Sequence, residues 1–218
     1  MAAAESRAVR RSLTTVGAEF WRHPSPWMLL ATVVGALAWL AVADDWRVSA
    51  LWGPLVYLVT FPLQEWAIHV FVLHWRPRKV GRLLLDYELA HEHRRHHRDP
   101  RNIPLVFIPW RSLIGVIVGS VVLAWAAFPH PGQSAAFLVT VSLVGFTYEW
   151  THYLIHSDYK PRSAAYKALW RNHRLHHYRN ENYWFNVTTS GTADRLLRTY
   201  PAQDAVPVSA TAKNLHGG

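Results

Sequence analysis

Four long apolar runs, set between basic polar segments, constrain this chain more than any other feature. They cover Trp27 to Ala43, about Leu51 to Leu73, about Ser112 to Phe128 (with an apolar lead-in from Leu105), and about Ser134 to Ile155. The first has 17 residues and would rise about 25 Å as a helix, close to the ~30 Å hydrocarbon core of a bilayer. Hydrophobic residues make up 50% of the chain and charged residues only 17%, fewer charges than a water-soluble domain carries. Trp27, Trp46, Trp52, Trp75, Trp110 and Trp150 lie near run ends, where an indole bridges lipid and water. The expected fold is therefore all-α, a four-span helical membrane protein. Pro54 and Pro62 inside the second run predict a kinked or broken helix there. Pro129-His130-Pro131-Gly132 predicts a tight turn, so the third and fourth helices should form an antiparallel hairpin. Ala41-Val42-Ala43 resembles a signal-peptide cleavage site, but the run is longer than usual for such a segment and further spans follow, so a retained span is expected.

Charge orients the spans. Residues 1–26 hold four Arg/Lys (Arg7, Arg10, Arg11, Arg22) and two acids, residues 75–103 hold eight and four, and residues 157–218 hold nine and four. The 44–50 loop carries only Asp44, Asp45 and Arg47, and the 129–133 loop carries no charge. Four spans with both termini inside put every basic segment on the cytoplasmic face. The net charge of +9 is read as a topology signal and a lipid-headgroup contact, with no nucleic-acid motif present. The expected organisation is a cytoplasmic N-terminal segment at 1–26, a membrane-embedded domain at 27–200, and a loosely ordered tail at 201–218.

Ten of the fourteen histidines fall into four groups on that one face. They are His69 and His74 (HxxxxH), His93, His96 and His97 (HxxHH), His152 and His156 (HxxxH), and His173, His176 and His177 (HxxHH). Imidazole is the commonest protein metal ligand near neutral pH. On a helix, i, i+3 and i+4 share a face, so three of the groups present ligand clusters. His69 and His74 stand five apart, about 140° around an ideal helix, so either the helix ends or distorts between them or they serve different metals. Ten imidazoles exceed the four to six ligands of one transition-metal ion and suit two. The chain has no cysteine, which excludes thiolate sites, disulfides and Fe–S clusters.

The two halves echo each other: Glu65-Trp66 precedes His69, Glu149-Trp150 precedes His152, and each histidine pair is followed by HxxHH, 19 positions after His74 and 17 after His156. Glu65 and Glu149, ionisable groups near membrane spans, either orient a ligand imidazole by accepting its second N–H or lie as helix-end carboxylates at headgroup level. His23, His91, His130 and His216 fall outside the pattern, and Arg94, Arg95 and Arg98 read as a solvated or lipid-facing surface. The sequon Asn186-Val187-Thr188 lies on the cytoplasmic side, where glycosylation is not expected.

The four motifs, in this order and between these spans, resemble the fatty acid hydroxylase and sterol desaturase superfamily of membrane dimetal enzymes, over roughly His69 to Thr199. Ile103-Pro104-Leu105-Val106-Phe107-Ile108-Pro109 is similar to the apolar, proline-containing segment of fatty acid 2-hydroxylases, and Thr151–His156 and Asn172–His177 to their third and fourth boxes. The resemblance implies two ions held by the ten histidines in a cytoplasmic helical cap, iron for the chemistry, with zinc also bound by family members. It implies O₂ activation and insertion of one oxygen atom into a C–H bond of a lipid, a fatty acyl chain first, with a sterol or carotenoid hydroxylase or desaturase as the alternative. Carotenoid hydroxylases usually carry HxxxxH in the third box, against HxxxH here. Some relatives carry a fused cytochrome b5 domain for which this chain has no room, so electrons are expected from a separate donor, a reductase, ferredoxin or cytochrome, docking on the basic face. A non-catalytic metal-binding or transport protein is the alternative class; transport favours ligands at the membrane midplane, whereas these sit at span ends and beyond.

Overall fold

The computed structural model describes residues 12–43, 45 and 47–217. Arg7, Arg10, Arg11, Asp44 and Trp46, used above for topology, lie outside the described residues. The elements run α1 (Leu13–Phe20), α2 (Pro24–Val42), a 3₁₀ turn (Val48–Leu51), α3 (Trp52–Ala67), β1 (Arg78–Val80), β2 (Leu83–Leu85), α4 (Glu88–Arg98), α5 (Trp110–Ala127), α6 (Pro131–His156), α7 (Ala164–Tyr178) and α8 (Thr192–Leu196).

Three stretches are long and apolar enough to cross a membrane: Pro24–Val42, Val48–Leu73 and Ile103–Ala127. The fourth expected span, α6, is 26 residues long but more polar, with Gln133, Thr140, Ser142, Thr147, Glu149 and His152 along it. It can carry these groups because it is the central helix, packed against α1, α2, α3, α5 and α7. α2 and α6 start at Pro24 and Pro131, where a missing N–H costs nothing. Pro54 falls in the first turn of α3 for the same reason, while Pro62 lies inside it and removes the hydrogen bond to the Leu58 carbonyl.

The four long helices alternate in direction. At one end, Asp45 Oδ2 lies 3.4 Å from His130 Nδ1 and Gln133 Nε2 donates to Ser49 O at 3.4 Å, joining the α2–α3 and α5–α6 turns. Gly132 is required there, because a Cβ would lie 2.5 Å from the Asp45 carbonyl oxygen. At the other end Phe20 is enclosed by Trp21, Phe107, Phe146, Trp150 and Tyr153, with ring centroids 4.8–5.7 Å away. Tyr153 Oη donates to Val16 O at 2.9 Å and fixes α1 across α6. All four histidine groups lie at this second end.

Two expectations are amended. The chain is mostly helical, as expected, with one short exception: β1 and β2 form an antiparallel hairpin, Arg78 opposite Leu85 and Val80 opposite Leu83, closed by Gly81 at φ 61°. The segment beyond 200 is not a free tail, for Val206, Ala212 and Leu215 are buried and Ser209 N donates to Arg179 O at 2.7 Å. Its short polar residues hid this, since the packing uses isolated small apolar side chains and backbone groups, which carry no periodicity.

Candidate metal centre

The ten histidines assemble into two groups of five. One comprises His69, His74, His93, His97 and His176; the other comprises His96, His152, His156, His173 and His177. In each, one nitrogen from every ring lies within 4.8 Å of all the others. Eight of the ten side chains are buried, His74 and His156 partly so. The groups stand back to back, with the His97 and His177 rings 4.2 Å apart between centroids.

Helix geometry explains the partition. On α4, His93 and His97 are i and i+4 and enter the first group, while His96 faces the second. On α7, His173 and His177 enter the second group, and His176 crosses to the first. Each half thus lends one imidazole to the other half's cluster. The five-residue spacing of His69 and His74 has a local answer: after Ala67 the helix widens into a π-helix, Ile68–Leu73, and His74 N donates to His69 O at 3.0 Å. The wider turn brings positions i and i+5 onto one side, so both rings reach the same cluster.

The protonation pattern follows from the outer hydrogen bonds. His69 Nδ1–H donates to Phe185 O (2.6 Å), His97 Nδ1–H to Ala212 O (2.9 Å), His152 Nδ1–H to Val106 O (3.0 Å) and His176 Nδ1–H to Tyr183 O (2.8 Å). A carbonyl can only accept, so in these four rings Nε2 carries the lone pair. The Nε2 atoms converge: His97 Nε2 lies 3.2 Å from Nε2 of both His93 and His176, and His156 Nε2 lies 3.2 Å from His96 Nε2 and 2.9 Å from His173 Nε2. His69, His74 and His152 Nε2 are buried without a protein partner among the described residues. Burial and then the neighbouring rings push the α4 and α7 imidazoles below their ordinary range (His97 down to about 3, through burial), so they are neutral at pH 7. Neutral nitrogens aimed at one another in a dry interior are a cation site in chemical terms, and the donor set fits transition-metal ions.

Glu65 and Glu149 contact neither imidazole expected of them. Glu65 instead receives Asn186 Nδ2 (3.0 Å), Val187 N (3.2 Å), Thr188 N (2.7 Å), Thr188 Oγ1 (2.6 Å) and Thr189 Oγ1 (2.7 Å). It thereby fixes the loop whose Phe185 carbonyl holds His69. Asp194 completes that loop, accepting from Phe185 N at 2.9 Å and Asn186 N at 2.8 Å; burial raises its carboxyl above the usual range. Trp184, just before Phe185, sits at φ 56°, a strained conformation costing roughly 1–3 kcal/mol that the loop's bonds hold in place. Glu149 does the same in the other half: its Oε1 accepts from Ile108 N at 3.0 Å, two residues from the Val106 carbonyl that holds His152. The sequon residue Asn186 is buried in this network, its Nδ2 also bonded to Pro62 O at 2.9 Å.

Other sequence expectations resolve as follows. Arg94 is not a surface residue: it is 3% exposed and donates to Asp86 Oδ2 at 2.5 Å and Trp75 O at 3.2 Å, tying the hairpin base to α4. Its neighbours Arg95 and Arg98 are exposed, as is His91. His23 stacks on Phe107 at 3.9 Å, and His216 Nε2–H donates to His74 O at 3.0 Å. Sequence reasoning missed the carbonyls of Val106, Tyr183, Phe185 and Ala212, because a backbone acceptor leaves no residue signature. It also missed an apolar cavity of about 230 Å³ between α2, α3, α5 and α6. Leu29, Tyr57, Phe61, Leu113, Val141 and Tyr148 line it, and its wall includes His93 of one cluster and His152 of the other.

A family profile described as fatty acid hydroxylase matches residues 54–199, which hold every one of these ten histidines. The chain belongs to the fatty acid hydroxylase family. A dihydroceramide fatty acyl 2-hydroxylase of Arabidopsis thaliana is 26% identical over 181 residues, 72% of this chain and 73% of the relative. Among solved structures, full-length Scs7p, of which only the hydroxylase domain is visible, superposes with a TM-score of 0.65 at 22% identity, over 84% of this chain and 69% of that one. That second likeness is one of fold. This hydroxylase therefore sets its histidine clusters at one end of a helical bundle, against an apolar cavity and on the side of α1 and residues 206–216.

Proposed function

We propose that this hydroxylase inserts one oxygen atom from O₂ into a C–H bond of a membrane-lipid acyl chain, using two ions held by the two five-histidine clusters. The single observation that carries the reading is the apolar cavity whose wall contains one histidine from each cluster. An apolar chain lodged there is dry, and its methylenes face both clusters. Bound in these clusters, a pair of iron ions would supply O₂ activation and the oxidising power for an unactivated carbon. The overall balance is one C–H bond broken, one C–O bond formed, the second oxygen atom leaving as water, and two electrons with two protons from a separate donor. A reductase, ferredoxin or cytochrome fills that role on this reading, and the basic segments beside the clusters suit an acidic one.

The protein's own contribution is orientation and exclusion of water. Phe185, Ala212, Val106 and Tyr183 carbonyls hold four imidazoles in the ligand tautomer, and the aromatic and aliphatic walls keep solvent out. The relative's name directs the first trial to position 2 of an N-acyl chain, as in dihydroceramide. α6 serves as the fourth span, both termini and the clusters face the cytoplasm, and residues 27–200 form the working domain. The length of α6, and the position of α1, residues 206–216 and the clusters at one end of the bundle, support this.

The test is purified protein in lipid nanodiscs with Fe²⁺, a ferredoxin–reductase pair and ¹⁸O₂. One ¹⁸O in a hydroxylated acyl chain is expected, from every lipid class carrying the right chain. Product with no ¹⁸O, an alkene alone, or no reductant-dependent O₂ uptake by iron-loaded protein would refute hydroxylation.

A further inference from the structure

The chain beyond residue 199 lies outside the family match, yet it reaches the first cluster twice. His97 gives its Nδ1–H to the Ala212 carbonyl at 2.9 Å, and His216 donates to the His74 carbonyl at 3.0 Å. The segment is fastened along its length. Arg179 Nε donates to Val206 O at 2.8 Å, Ser209 N to Arg179 O at 2.7 Å, and Thr211 Oγ1 to Glu181 Oε1. Val206, Ala212 and Leu215 are each under 5% exposed, and Lys213 Nζ lies 5.0 Å from the Tyr178 ring centroid. The anchors sit on the end of α7 and the turn after it, and the contacts fall on α4 and the end of the π-helix. Thus residues 206–216 bridge the two halves on the side of the first cluster. The second cluster takes its outer contact from elsewhere, His152 Nδ1–H donating to Val106 O at 3.0 Å.

We infer that residues 206–216 are a strap belonging to the first metal site alone: the Ala212 carbonyl sets the tautomer of His97, and the strap's backbone seals His97 and His74 from water. This rests on the dimetal reading above for its metal readout, though not for its footprint. Loss of an orienting partner of a ligand histidine lowers metal affinity about 10–100-fold. The strap therefore makes the two sites unequal in the hold they have on their ions.

Two measurements on the full chain and on a chain stopped after Ala205 test it. In metal-loaded protein, ions per chain and release into a chelator are followed. The full chain is expected to hold two, and the shortened chain to release one at least about tenfold faster and the other at an unchanged rate. Adding His96→Ala to the shortened chain should then abolish tight binding altogether. In metal-free protein, diethyl pyrocarbonate modification is read residue by residue. Shortening should raise labelling of His97 severalfold and leave His152 unchanged. Equal release of both ions, or equal labelling of His97 in both chains, overturns the strap. A full chain that binds no ion overturns the dimetal reading instead, and the labelling still decides the strap. If the shortened chain does not accumulate, the full-length double variant Thr211→Val, Leu215→Asp takes its place with the same expectations.

Discussion

His93 and His97 serve one cluster while His96, between them, serves the other, and this has a sharp consequence for double substitutions. On the proposed two-ion reading, His96→Ala should cost the second ion and spare the first. Adding His156→Ala, which lies in the same cluster, should cost little more, whereas adding His97→Ala should remove both ions, although His97 is the sequence neighbour. Metal content per chain decides between this grouping and one by motif. The carboxylates make a second case. Glu65→Gln would set an amide N–H₂ against donors of the 186–189 loop, and should destabilise the fold by about 2–4 kcal/mol and loosen the first ion. Glu149, with one backbone donor at 3.0 Å, should cost less on Glu149→Gln and act on the second ion. Thermal midpoints in detergent, paired with metal analysis, check both; equal loss of both ions from either variant would count against a loop-borne effect. The identities of these residues were legible from the sequence, because imidazole clustering and a carboxylate inside an apolar run have few other uses. Their partners were not, because the acceptors are backbone carbonyls, three of the four brought in from over 40 to more than 110 positions away.

At the scale of elements, apolar runs and proline positions read correctly as helices, and the long runs gave α2, α3, α5 and α6 to within a few residues. The π-helix stood in the sequence only as a conflict, a five-residue histidine spacing inside a helical pattern; sequence left open whether the helix yields or the ligands part, and here the helix yields. The hairpin was missed because Arg78–Leu85 shows no clean alternation of polar and apolar side chains and both strands are exposed. α1 shows how a short helix outside the bundle earns its place: Phe20, 1% exposed, is the hub of the aromatic group that packs α1 on α6 and on the Val106–Phe107 turn. Phe20→Ala should cost about 3–5 kcal/mol, seen as a lower thermal midpoint. It should also weaken the second ion before the first, since Val106 holds His152.

For the molecule as a whole, the absence of cysteine allows a direct test of sidedness. Single substitutions Leu84→Cys in the hairpin and His130→Cys at the far turn should react with a membrane-impermeant thiol reagent from opposite faces of sealed vesicles. Reaction of both from one face would remove the proposed topology. Acid sensitivity follows from burial of the α4 and α7 imidazoles. In the unfolded chain they titrate near 6.5, while in the fold they resist protonation, His97 until about 3. The unfolded chain thus binds more protons in that window, and stability falls as pH drops from about 6.5 toward 3. Metal-free protein should show a thermal midpoint that is flat above pH 7.5 and declines steadily from pH 6.5 to 4; a flat profile throughout would contradict the burial.

The exchange of His96 and His176 between the halves also bears on the integrity of both clusters. Each half supplies four of the rings in one cluster and a single ring to the other. The fifth ligand comes only when the halves are joined. Neither half holds a complete set of five, so parting the halves strips one donor from each cluster at once.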